Sequence, residues 1–266
     1  MLTKSLSILL PFSILSCNNN ATAPQKKSTV ILSKNNSLNN ENEFALINNI
    51  PLPFGYVRAD NDTTSFAFWL ANLPLKKDKT VYLYDSTPKL NQKAQFAVLD
   101  ISVGTKNLQQ CADAVMRLRA EYLFSQKRFN EISFTDNENT HYNFFEPYSK
   151  VHFMQYLQKV FGMCGTASLA KQLYKKNKLK DVIAGDVFIR GGFPGHAVIV
   201  VDIAININGN KIFLLAQSFM PAQNIHVLNN PKNENLSPWY EATEFDFLQT
   251  PEYIFRTTEL MQWNKN

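Results

Sequence analysis

GDVFIRGGFPGHAVIVVDI, residues 185–203, predicts two short buried strands joined by a tight turn. The apolar runs 186–189 and 196–203 are typical of such strands, and three glycines and a proline separate them. Because glycine lets a backbone approach a ligand closely, we expect His196 to be presented at the start of the second strand. Histidine has the side-chain pKa nearest to neutrality, so His196 is the first candidate for acid–base chemistry.

The neighbouring segments predict the fold class. Asn208 and Gly209 form a two-residue hairpin signal that joins the strand beginning at His196 to another over 211–219, and a further strand is predicted over 224–228. Before this region, helices are predicted over 107–124, over 150–161 and from Thr166 to about residue 176. Helices first and an antiparallel sheet afterwards predict an α+β fold, with the helices packed on the sheet.

The helix predicted over 107–124, NLQQCADAVMRLRAEYLF, carries a cysteine near its start. Asn107 is the expected cap. Apolar side chains then recur at spacings of three and four, which predicts one buried stripe, at Leu108, Cys111, Val115, Leu118 and Tyr122. Cys111 is therefore either a core thiol or a nucleophile at a helix N-terminus.

The N-terminus predicts membrane attachment through a lipid. An apolar run over 6–15 is too short to span a bilayer and ends just before Cys17, which resembles a bacterial lipobox. We expect a signal peptide over 1–16, a lipid on Cys17, a flexible tether over 17–44 and a single globular domain over 45–266. The expected location is the cell envelope, on the periplasmic face or the cell surface.

Composition excludes some classes of function. Hydrophobic residues make up 45% of the chain, which is typical of a globular protein. The net charge is +5, but the lysines are scattered and form no basic stripe with aromatics, so no nucleic-acid partner is expected. No CxxC and no clustered His/Cys spacing occurs, so no metal or cofactor is expected.

A cysteine at a helix N-terminus and a strand that opens with histidine form the arrangement of papain-like hydrolases. The helix stabilises the thiolate, the imidazole carries the proton, and a polar side chain orients the ring. The GDV…GHAVIVV segment resembles the histidine strand of NlpC-type peptidases and CHAP amidases, so a papain-like or NlpC-like architecture is the expectation. Cys164 precedes His196 by 32 positions, as in the NlpC type, but the Asp-Cys-Ser-Gly signature is absent. Cys111 and Cys164 both remain candidate nucleophiles.

The residue that orients His196 can be predicted from the hairpin register. If Asn208 and Gly209 are the whole loop, residues whose numbers sum to 417 pair. On that count Gln223 lies diagonal to His196 on one face, whereas Gln217 lies roughly 13 Å away. Gln223 is therefore the favoured orienting residue and Gln217 the second choice.

Several long segments resemble one known family. They are SFAFWLANLPL, AVLDISVG, LQQCADAVMRLRAEYL, GDVFIRGGFPGHAVIVVD, FLLAQSFMPAQNIHVL and LSPWY. They resemble a family of bacterial lipoproteins, common in Bacteroidetes-type organisms, described as domain of unknown function 4846. In the pattern of that family the position of Cys111 lies inside a shared motif, whereas the position of Cys164 usually holds a small residue. The resemblance therefore favours Cys111 as nucleophile, and it implies no known activity.

Two functions stay open at this point. The first is an envelope-anchored cysteine hydrolase or transferase with Cys111 as nucleophile, His196 as base and Gln223 or Gln217 as orienting residue. Its substrate would be a peptidoglycan peptide, a glycan-linked amide or a lipid ester. The second is a binding module without turnover for peptidoglycan or another envelope ligand, held by the glycine-rich turn and four aromatic side chains, Phe193, Phe219, Trp239 and Tyr240.

Overall fold

The computed structural model describes residues 40–243 and 246–264. The expected signal peptide, Cys17 and most of the expected tether therefore lie outside the described residues. Residues 40–44 are tied to the domain, because the amide of Asn42 donates to the carbonyl of Lys77 at 2.5 Å and Phe44 stacks on Phe96. Part of the segment predicted as a tether, residues 40–44, thus contacts the domain.

The described residues combine helices with many short strands. The α-helices are α1 Phe66–Ala71, α2 Cys111–Ser125, α3 Lys150–Met163 and α4 Thr166–Gln172. The strands are β1 Tyr56–Arg58, β2 Gln95–Val98, β3 Ser133–Thr135, β4 His141–Asn143, β5 Tyr174–Lys175, β6 Val187–Arg190, β7 His196–Asn206, β8 Lys211–Gln217, β9 His226–Leu228, β10 Tyr240–Glu241, β11 Phe247–Gln249, β12 Ile254–Arg256 and β13 Leu260–Gln262. Within residues 40–243 and 246–264, no helix is long and apolar enough to cross a membrane.

The main sheet is built around the eleven-residue strand β7. Seven strands follow the order β2-β9-β8-β7-β6-β13-β5, while β1 pairs with β7 and β10 pairs with β8. Every pairing is antiparallel, and in the first hairpin Arg190 lies opposite His196. The prediction of an α+β fold with helices on an antiparallel sheet is confirmed.

Alternate residues of β7 pack into two different hydrophobic cores. Ala197 and Ile199 belong to the core that the helices cover, whereas Val198 and Val200 pack with Phe255 of β12 on the other face. This alternation follows from the two-residue period of a strand. Each fully buried aliphatic side chain contributes about 1.5–3 kcal/mol, so both faces stabilise β7 and hold its first residue in place.

Helix α2 begins three residues later than its sequence predicts, because its cap is Gln110 rather than Asn107. The expected cap, Asn107, instead accepts a hydrogen bond from the amide of Ala222 at 2.8 Å. The helix starts after Gln110, whose amide donates to Asp113 Oδ2 at 2.8 Å as in a capping box. Cys111 is therefore the first residue of the helix.

The register of the β7–β8 hairpin also differs from the prediction. Gly209 has a φ of 79°, and the amide of Asn206 bonds the carbonyl of Asn210, so residues 207–209 form a three-residue loop. Paired residues such as Ile205 and Lys211 consequently sum to 416 rather than 417. A bulge between Val200 and Asp202 then lowers the sum to 415. The predicted register is wrong by two residues at the end that holds His196.

Candidate active site

Cys111 lies where helix α2 meets the beginning of strand β7. The backbone amides of Ala112, of Cys111 itself and of Ala197 lie near its partly exposed thiol. Ala197 directly follows His196 in the chain, but successive residues of a strand face opposite sides. The thiol therefore lies on the helix-covered side of β7, whereas the His196 ring packs on Phe255 on the other side. Ser218 holds the segment just before α2, because its Oγ donates to the carbonyl of Gln109 at 2.9 Å.

The ring of His196 is enclosed and is held through one nitrogen. Only 2% of the residue is exposed, and its Nε2 lies 2.8 Å from Gln217 Oε1. Three aromatic rings surround it, those of Phe219, Tyr253 and Phe255, at centroid distances of 4.7, 5.0 and 5.8 Å. The hydrogen bond to Gln217 is therefore largely shielded from water, which strengthens it.

Gln217, rather than Gln223, is the partner of His196. The side chain of Gln223 turns back on its own segment and donates to the carbonyl of Pro221 at 3.2 Å. The expected contact between Gln223 and His196 does not occur in the part of the chain that the structure describes. The shorter register explains this, because it moves Gln217 two residues closer to the start of β7.

Three further polar residues, none of them expected from the sequence, extend the hydrogen-bond network around Gln217. Gln217 Nε2 lies 2.8 Å from Glu252 Oε2 and 3.4 Å from His226 Nε2, while Lys89 Nζ lies 2.5 Å from the same Glu252 oxygen. His226 is the residue opposite Gln217 in the β8–β9 pairing, and Glu252 lies in the turn between β11 and β12. A correct strand register would have identified His226, but no local signal identifies Glu252 or Lys89.

Burial determines the protonation of the site. It lowers the pKa of His196 to about 4, against the hydrogen bond to Gln217 and together with the nearby charge of Lys89. Burial also raises the pKa of the Cys111 thiol to about 11, with a smaller contribution from Asp113, while the three amides act in the opposite direction. At neutral pH the pair is thus a thiol and a neutral imidazole.

Cys164 is not brought to His196. It ends helix α3 and is buried in the core beneath the helices, and burial raises the pKa of its thiol to about 11. Both Cys111 and Cys164 are free thiols, so the two form no disulfide in this structure. Among the described residues no hydrogen bond joins either thiol to the His196 ring. Cys111 alone of the two lies near Ala197, the residue that follows His196.

Two of the four aromatic side chains expected on a ligand surface are core residues. Trp239 is buried and its Nε1 donates to the carbonyl of Pro51 at 2.8 Å, and the buried Tyr240 donates to the carbonyl of Asn229. Phe219 packs on His196, whereas Phe193 is fully exposed. Of this set only Phe193 leaves its whole ring free for a ligand.

The described residues contain no group of three or more His, Cys, Asp or Glu side chains placed to hold a metal ion. The family model for a domain of unknown function (4846) matches residues 46–149 and 142–262, which together cover most of the chain. No curated protein and no solved structure matched the chain.

Proposed function

The chain belongs to the family described as domain of unknown function 4846, and we propose that it is a cysteine hydrolase or transferase of the cell envelope. Cys111 would be its nucleophile and His196 its general base. The observation that supports the proposal is that the thiol at the first residue of α2 lies near the amide of Ala197, the residue that follows His196 in β7. Gln217 holds the His196 ring by its Nε2.

The hydrogen bond to Gln217 selects the basic nitrogen. A carbonyl oxygen only accepts, so the Nε2 of His196 carries the proton that Gln217 Oε1 receives. The neutral ring then has its lone pair on Nδ1, which has no hydrogen-bond partner within the described part of the chain. Because burial lowers the pKa of His196 to about 4, Nδ1 is unprotonated at neutral pH.

The reaction would be acyl transfer by general-base catalysis. For this step the His196 side chain must rotate from the Gln217 face of β7 to the face that holds Cys111. Nδ1 then takes the thiol proton as Sγ of Cys111 attacks a carbonyl carbon, and the imidazolium gives that proton to the leaving amine or alcohol. The amide of Cys111 lies in the first turn of α2, where amides lack an intrahelical acceptor, so it can donate to the oxyanion. Water or a second acceptor resolves the thioester, which gives a hydrolase or a transferase.

An activated ester tests this chemistry without knowledge of the substrate. With p-nitrophenyl acetate, we expect a burst of nitrophenolate and a single acetyl group on Cys111 in the intact mass spectrum. Cys111→Ala abolishes both, and His196→Ala slows acylation by about 100-fold or more. Cys164→Ala is the matched control and keeps the rate of the unmodified protein. Acetylation elsewhere, or equal rates with and without His196, would disprove the proposal.

A binding module is the second candidate function, and the exposed ring of Phe193 beside the His196 strand favours it. Such a module would bind peptidoglycan or another envelope ligand without acylation of Cys111. Loss of ligand retention in Phe193→Ala, together with no burst in the ester assay, would identify it.

We also propose that a lipid on Cys17 holds the protein to a membrane of the envelope, as the lipobox-like sequence before Cys17 supports. When the full chain is produced in a bacterium that processes lipoproteins, an alkyne-bearing palmitate should label it. Cys17→Ala is expected to lose at least about 90% of the label, whereas Cys111→Ala keeps it. A mature N-terminus other than Cys17 would contradict the assignment.

A further inference from the structure

The turn between β11 and β12 reaches the His196 site with two adjacent side chains. Glu252 Oε2 lies 2.8 Å from Gln217 Nε2, and the ring of Tyr253 packs on His196 with its hydroxyl donating to the carbonyl of Pro194. Glu252 does not touch His196 itself. A hydrogen-bonded effect of its carboxylate on the imidazole therefore passes through the amide of Gln217.

The carboxylate of Glu252 dictates which way the Gln217 amide faces. A carboxylate only accepts hydrogen bonds, so the nitrogen of the amide must be the atom that faces it. The reverse orientation would place two acceptor oxygens 2.8 Å apart without a proton between them. Lys89 lies 2.5 Å from the same carboxylate oxygen and forms an ion pair with it. The amide oxygen is left to face His196.

His226 also favours this orientation of the Gln217 amide, through a longer hydrogen bond. Its Nδ1 lies 2.9 Å from the carbonyl of Asn224, which only accepts, so Nδ1 carries the proton of that ring. Its Nε2 is then an acceptor for the second N–H of Gln217, at the longer distance of 3.4 Å. Both N–H groups of the amide are thus directed away from His196.

We propose that Glu252 is a positioning residue, which through the Gln217 amide fixes the Nε2–H tautomer of His196 and keeps Nδ1 as the basic nitrogen. The value of that tautomer to catalysis rests on the proposed function, but the tautomer itself does not. A purely structural role, in which the Glu252–Lys89 ion pair only ties the turn to the loop before β2, predicts no change of tautomer.

Nitrogen NMR of the full-length protein labelled with ¹⁵N-histidine distinguishes the two roles. We expect His196 in the unmodified protein to show the Nε2–H pattern alone. In Glu252→Ala the Gln217 amide loses its charged acceptor, and we expect at least about a third of His196 to shift to the Nδ1–H form. Glu252→Gln keeps an oxygen that both Lys89 and Gln217 can reach, so it is expected to restore the original pattern.

Matched variants separate the orientation effect from general damage. Glu259 forms an ion pair with Arg190 at 2.6 Å close to the same hairpin but does not touch Gln217, so Glu259→Ala should leave the tautomer unchanged. If Glu252→Ala does not fold because Lys89 is left buried and unpaired, the double replacement Lys89→Met with Glu252→Leu removes both charges and should show the same shift.

Two results would overturn the proposal: an Nδ1–H tautomer in the unmodified protein, or a pure Nε2–H tautomer in every folded variant that lacks the Glu252 acceptor. The rate of Cys111 acetylation is measured in parallel and should fall about 10-fold in Glu252→Ala but not in Glu259→Ala. If His196→Ala leaves that rate unchanged, the proposed function fails, and the tautomer result still decides the role of Glu252.

Discussion

Lowering the pH from 7 to 5 is expected to reduce the free energy of unfolding by about 4 kcal/mol through His196 and His226. Burial lowers the pKa of these two side chains to about 4 and about 3 in the folded protein, whereas an unfolded chain has its histidine pKa near 6.5. Between pH 7 and pH 5 the unfolded chain therefore binds protons at these two histidines, whereas in the folded protein both stay largely neutral. Stability is complete above about pH 6.5 and is lost as the pH falls towards the folded pKa values.

Urea unfolding at pH 7, 6 and 5 measures this loss, and His226→Gln isolates one half of it. Glutamine can replace both hydrogen bonds of His226 but does not titrate, so the variant should lose about 2 kcal/mol less than the unmodified protein over this range. Carboxylates titrate alike in both proteins and cancel in the comparison. His141 is exposed, so His141→Gln is the control that keeps the full pH dependence. Equal slopes for His226→Gln and the unmodified protein would show that His226 is not buried in its neutral form.

The low pKa of His196 has two consequences. It reduces stability at acidic pH, and it sets the protonation state of the ring in the proposed reaction. The aromatic rings that bury His196 and lower its pKa also shield its hydrogen bond to Gln217 from water. The imidazole is therefore neutral throughout the physiological range, but it is a weaker base than a solvated histidine. A fully solvated histidine would be partly protonated near pH 6.5 and would have no fixed tautomer.

The fold class and the places of His196 and Cys111 in the fold could be predicted from the sequence because their signals are local. Strands β6 and β7 follow from two apolar runs around a glycine-rich turn, and their pairing places His196 first in β7 as expected. Cys111 was expected near the start of a helix and is its first residue. The helix starts later than predicted because the Asp113 side chain accepts a hydrogen bond from the amide of Gln110. Gln110, rather than Asn107, is therefore the residue that precedes the helix.

The orienting residue could not be predicted because strand register depends on loop and bulge geometry. One residue more in the loop and one bulge at residue 201 shift the pairing by two positions, which exchanges Gln223 for Gln217. Glu252 lies 35 residues beyond Gln217, and Lys89 lies 163 residues before Glu252. No periodicity connects positions so far apart, so only the packed structure brings this network together.

Replacing Gly195 with alanine is expected to destabilise the protein by about 3 kcal/mol and to slow Cys111 acetylation by about 100-fold. A Cβ at this position would lie 2.3 Å from the carbonyl oxygen of Gly192, 2.4 Å from Thr166 Oγ1 and 2.9 Å from the carbonyl oxygen of Arg190. The threonine side chain can rotate away, but the two carbonyl groups belong to the backbone of the turn. The turn must therefore open, and His196 is the next residue in the chain.

The comparison that isolates this effect is Gly162→Ala, because a Cβ there meets nothing within 4 Å and the residue lies inside helix α3. Alanine at a helical position with free space is expected to leave the protein as stable as before or up to about 1 kcal/mol more stable. Thermal unfolding and the ester burst are measured on both variants. If Gly195→Ala matched Gly162→Ala in both, the turn would not hold His196, and the position of the base would have to come from the surrounding aromatic rings and Gln217 alone.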